Sequence, residues 1–137
     1  MKVVLDTNIY FGWIRERKRP ELLLDVYTQK YLSCHVLMEL WAGAKSKQAG
    51  RTIEKLQKPY LKADRIMSPS GSDFITAGQI LSDLPDSEKS RLKNAGFVND
   101  LFIALTAQSI GAMLYTSNRG DFELIAPFVR GLRVAYV

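Results

Sequence analysis

The feature that most limits what this chain can fold into is its opening: three apolar residues, Val3-Val4-Leu5, followed at once by Asp6. A run so short and so apolar reads as a strand buried on both faces of a parallel sheet, with the acid at its carboxyl end. Further short runs recur at Tyr31-Leu32-Ser33-Cys34, Arg65-Ile66-Met67, 112–116 and 132–136. Between them the apolar spacing is helical over 8–17, 21–30, 36–47, 49–58, 72–83, 88–94 and 97–110. Pro20 suits a first turn, Pro59 a stop and Gly111 a terminator. Leu84-Pro85-Asp86-Ser87 has turn residues. Strands alternating with helices predict parallel pairing and right-handed crossovers. The expected fold is α/β: a three-layer α/β/α sandwich around a parallel sheet of about five strands, one domain over residues 1–137.

Composition narrows the chemistry. Hydrophobic residues make up 47% of the chain, enough for a core, and neither repeats nor low-complexity segments divide it. With one cysteine and one histidine, neither an internal disulfide nor a Cys/His zinc site can form within the chain. Cys34 reads as a buried reduced thiol. No apolar run is long enough for a signal core or a bilayer span, so a cytoplasmic protein is expected. Lys and Arg number 19 against 14 Asp and Glu, a net charge of +5. That balance suits a polyanionic partner, and equally a basic surface that is merely soluble.

In an open parallel sheet, ligands bind beyond the carboxyl ends of the strands. Asp6 ends the first strand; Asn118 and Asp121 follow the fourth. Asp100 falls early in the long helix feeding that strand, and Glu39 early in the helix after the second. Each acid alone has an ordinary reading as a helix cap or a first-turn residue. Four at one edge of a sheet are another matter. Gathered carboxylates repel, and desolvation raises the cost, so such a cluster calls for a cation. All-oxygen ligands without His or Cys suit Mg2+, or Mn2+, rather than zinc. A bound divalent ion acidifies water and shields a phosphate, which is the chemistry of phosphodiester hydrolysis.

The chain resembles the PIN-domain ribonucleases, of the VapC-like toxin type found in type II toxin–antitoxin pairs. The likeness rests on four motifs in order: Val4-Leu5-Asp6-Thr7-Asn8; Ser33 with Met38-Glu39-Leu40 and Gly43; Asn99-Asp100 with Ile103-Ala104 and Ala107; and Thr116, Asn118, Asp121 and Phe122. It implies that Asp6, Glu39, Asp100 and Asp121 are catalytic, metal-binding carboxylates, with Thr7, Asn8, Thr116 and Asn118 as polar support; Arg119, inside the closing motif, suits either a contact to substrate phosphate or a charge that only balances the acids. It further implies an RNA substrate, a homodimer and a cognate antitoxin covering the site. Val36 stands where the helix bearing Glu39 usually has Thr or Ser, so a cap of about 0.5–2 kcal/mol is expected to be missing. The stretch 72–93 matches too loosely for any role to be carried over.

Other features have two readings. Arg15-Glu16-Arg17-Lys18-Arg19, and Arg51, Lys55 and Lys58 on one helix face, suit phosphate contacts or solvated helix surfaces. Tyr10, Phe11 and Trp13 suit base stacking or core packing. Leu22, Leu23, Leu24, Val26 and Tyr27 suit a dimer face or the core. Two phosphate-enzyme rivals fit less well: a haloacid-dehalogenase-type phosphatase needs an acid where Asn8 stands, and a receiver domain needs an acidic pair that is absent. The remaining alternative is a catalytically silent PIN-like module that binds RNA or protein. Such modules lose acids, and this chain keeps four.

Overall fold

The computed structural model describes residues 1–137. Five parallel strands form one sheet: β1 (Lys2–Leu5), β2 (Gln29–Ser33), β3 (Ile66–Met67), β4 (Met113–Thr116) and β5 (Arg133–Tyr136), in the order β3-β2-β1-β4-β5. The helices are α1 (Thr7–Glu16), α2 (Pro20–Leu23), α3 (Cys34–Ala42), α4 (Lys47–Lys62), α5 (Gly71–Asp83), α6 (Ala95–Ser109) and α7 (Arg119–Ile125), with 3-10 turns at Asp86–Lys93 and Ala126–Phe128. The three-layer α/β/α arrangement read from the alternating pattern is present. Strand order runs outward from β1 in both directions, so right-handed crossovers place helices on both faces. Val3, Val4 and Leu5 are buried, as a central strand requires. Register pairs Val4 with Tyr31 on one side and Leu114 on the other, which brings the ends of β1 and β4 level. The order reverses between β1 and β4, and a crevice opens at that point.

Several boundaries differ from the sequence reading. The helix expected over 21–30 stops at Leu23. The Asp25 side chain accepts from the Tyr27 amide in a tight local turn, and β2 begins at Gln29, whose amide bonds Met1. Sheet pairing outweighs helix propensity there. The helix expected to stop at Pro59 runs on to Lys62. Pro59 lacks only its own donor, and the flanking residues hold the helix through: Ile53 is buried, and Tyr60 shares a 2.9 Å hydrogen bond with buried Tyr10. The segment 88–94 is 3-10 rather than α-helical, with no buried residue to reward a regular amphipathic turn. Cys34 starts α3 and is half-buried rather than buried. Gly111, at φ 67, ends α6 as its residue type suggests. No helix is long and apolar enough to cross a membrane.

Candidate active site

Asp6 directly follows β1 and caps α1, accepting from the Thr7 amide at 2.8 Å. Its other oxygen accepts from Thr116 Oγ1 at 2.7 Å and Asn8 Nδ2 at 2.9 Å. Two neighbouring strand ends are thereby tied through one carboxylate. Asn118 caps α7, accepting from the Asp121 amide, and donates its side-chain amide to Asp100 Oδ2 at 2.9 Å. Thr7 Oγ1 donates to Glu39 Oε1 at 2.8 Å. Thr7, Asn8, Thr116 and Asn118 thus each bond one of the acids. The ordinary readings hold as well, since Asp6 and Asn118 do cap helices. No buried side-chain nitrogen or oxygen is left without a partner.

Asp6, Glu39, Asp100 and Asp121 line one cavity of about 290 Å³, with Thr7, Asn8, Phe11, Gly96 and Asn118. The acids stand around this space rather than closing on one point: no three come near enough to form a coordination shell by themselves. Phe11 is its single apolar wall. Gly43 makes that wall possible, because a Cβ there would lie 2.7 Å from the Phe11 ring. Of the neighbouring aromatics, Tyr10 is core, and Trp13 lies under the Arg17 guanidinium.

The electrostatics are strained. Burial raises Asp100 to about 9, and the charges of Asp6, Asp121 and Glu39 push the same way. Burial also raises Asp6, against three hydrogen bonds that favour its charged form. Glu39 is raised by burial and by Asp6, and eased by Thr7 and Asn99. At neutral pH without a cation, the cluster therefore keeps a proton on Asp100.

Two expectations are corrected. Val36 is no lost cap: α3 starts two residues earlier, Ser33 accepts from the His35 amide at 3.2 Å, and Val36 is fully buried inside the helix. Arg119 does not reach the acids; it pairs with Glu123 at 2.9 Å and lies over the Tyr136 ring. The cation that does reach them is Arg91, from the stretch that matched nothing. Its Nη1 lies 2.8 Å from Asp121 Oδ1, and its Nε 2.6 Å from Glu88. Nothing local in the sequence marks it, since its partner is 30 residues away. His35 stacks on Phe102 with ring centroids 4.9 Å apart and takes no part in the site.

The point where strand order reverses in an open parallel sheet is a ligand site, and here it is lined by four acids. The model of the PIN domain matches residues 3–126, and the chain belongs to that family of nucleases. The resemblance read from the four motifs is borne out. Among solved structures, the chain is similar to VapBC-1 from nontypeable Haemophilus influenzae (26% identity, TM-score 0.70, 99% of this chain and 98% of that one). It is similar also to VapBC2 from Rickettsia felis bound to a DNA fragment from their promoter (25%, TM-score 0.65, 100% and 99%). FitAcB from Neisseria gonorrhoeae shares the fold (20%, TM-score 0.66, 98% and 96%). No curated protein matches the chain.

Proposed function

We propose that this protein is a divalent-metal-dependent endoribonuclease, the toxin of a toxin–antitoxin pair, working in the cytoplasm. The observation that carries this reading is the cavity that Asp6, Glu39, Asp100 and Asp121 line together, where burial and then the neighbouring acids raise Asp100. The donor set fits Mg2+ or Mn2+: it is all oxygen, without His or Cys, and open enough for an ion that keeps part of its water. When bound, the cation supplies neutralising charge to the scissile phosphate and makes water more acidic.

The chain's own residues do the rest. Thr116 and Asn8 fix one Asp6 oxygen and the Thr7 amide fixes the other. Asn118 orients Asp100, and Thr7 orients Glu39. Such partners keep carboxylates pointed at the ion. Water, rather than the RNA 2′-hydroxyl, is the nucleophile, so the products carry 5′-phosphate and 3′-hydroxyl ends.

A second cavity, of about 540 Å³, supports the antitoxin reading: Trp13, Ile14, Leu24 and Leu56 line it together with Arg17 and Lys55. Helix α1 contributes to both cavities, Trp13 and Ile14 to this one and Thr7, Asn8 and Phe11 to that of the acids. For a homodimer, the exposed apolar residues Met38, Phe74 and Ile75 of α3 and α5 are better placed than Leu22 and Leu23, which pack on the core. Leu24, Val26 and Tyr27 remain exposed.

The test is incubation of a single-stranded RNA with wild type plus Mg2+, wild type plus EDTA, and Asp6→Asn. The reading expects cleavage only in the first. Products with 2′,3′-cyclic phosphate contradict the water step, and RNA retention without cleavage makes the protein a binding module.

A further inference from the structure

We infer that Arg91 is a built-in counter-ion that occupies Asp121 in the metal-free protein and gives it up to the incoming cation, setting how tightly the site binds metal. The inference rests on the proposal that the four acids hold a divalent ion. Three observations carry it. Arg91 reaches Asp121 from outside the motif, at 2.8 Å, and is the one cation paired with any of the four acids. Its guanidinium is held independently of Asp121, by Glu88 at 2.6 Å and over the Phe97 ring at 5.3 Å. Letting go of Asp121 therefore breaks one contact and leaves Arg91 anchored. Finally, the segment that carries it, Asp86–Lys93, is a 3-10 turn with no buried residue, so little packing resists a small outward shift.

The physical consequence is a competition. A monovalent guanidinium and a divalent ion cannot both sit against Asp121 without repelling each other. Arg91 lowers the repulsion among the acids when metal is absent, and opposes the metal when it arrives. It is a positioning residue, acting through Asp121 rather than on substrate.

The experiment is Mn2+ binding to the full chain, followed by calorimetry and by the loss of free-ion EPR signal, for wild type, Arg91→Gln and Arg91→Lys. Arg91→Gln is expected to bind Mn2+ about tenfold more tightly, since it removes a charge and frees a ligand. Arg91→Lys, which keeps the charge but not the fork that joins Glu88 to Asp121, is expected to bind Mn2+ with an affinity between those of wild type and Arg91→Gln. Thermal melts accompany each titration: Arg91→Gln melts lower than wild type without metal and gains more on adding Mn2+. A merely structural arginine would lower the melt in both conditions and leave the affinity unimproved. Equal or weaker Mn2+ binding by folded Arg91→Gln overturns the inference while the metal site stands. Failure of wild type and both variants to bind Mn2+ overturns the metal reading itself, and the inference with it.

Discussion

Asp6 and Asp100 lie at the inner end of the acidic cavity, 2% and 7% exposed, and take their hydrogen bonds from strand ends and the cap of α7. Asp121 and Glu39 lie at the outer end and are only partly buried: one is paired with an arginine on a polar turn, the other is bonded by Thr7 and eased by Asn99. The inner pair is the more buried and is raised by burial; in the outer pair Asp121 has a cation beside it, whereas Glu39 is raised by burial and by Asp6. The contrast teaches that the inner acids are oriented by strand ends and helix caps, whereas the outer acids depend on side chains brought from elsewhere in the chain.

The hardest blow to the inner half is Asp100→Asn. The amide resembles the protonated acid in shape and charge, so the protein should fold while RNA cleavage falls by about a thousandfold or more, beyond the 10–100-fold typical of a ligand's hydrogen-bond partner. Gel-based cleavage rates and a melting curve check both halves. Asn118→Ala comes next, with a loss of about 10–100-fold, because it frees Asp100 and uncaps α7 together. Equal effects from Asn118→Ala and Thr7→Val would erase the distinction between inner and outer halves.

A smaller effect is pH dependence without metal. Asp100 sits near 9 in the fold against an ordinary 3.8, so the native state holds a proton that the unfolded chain has released. Stability should therefore fall as pH rises from about 4 toward 9, and saturating Mg2+ should flatten that slope. Denaturant melts at several pH values, with EDTA and with Mg2+, test the sign. The least affected variant is Arg119→Ala: its exposed pair with Glu123 is worth at most about 0.5 kcal/mol, and cleavage should be unchanged.

Much of this was legible in sequence because it is local. Asp6 follows a buried three-residue run directly, and Asn118 and Asp121 sit two and five residues past β4, so strand ends alone bring them near one another. Structure departs from the sequence pattern where a distant partner decides. The segment after Leu23 is taken by sheet pairing, and Pro59 is carried by the packing of Ile53 and Tyr60. Val36 resembles a failed cap in the sequence because the true cap, Ser33, is also the last residue of β2. Arg91 could not be found at all: it lies in a polar stretch without periodicity, and its value comes entirely from a carboxylate that folding brings to it.

Anomalous diffraction from crystals of the wild-type protein grown with Mn2+ puts the most direct question. A peak inside the cavity, within ligand or water-bridged reach of Asp6, Glu39, Asp100 and Asp121, is the expected result, with Arg91 drawn back from Asp121. An anomalous map with no peak there at saturating Mn2+, or with the ion on some other surface, would contradict the claim that these acids are held together for a cation.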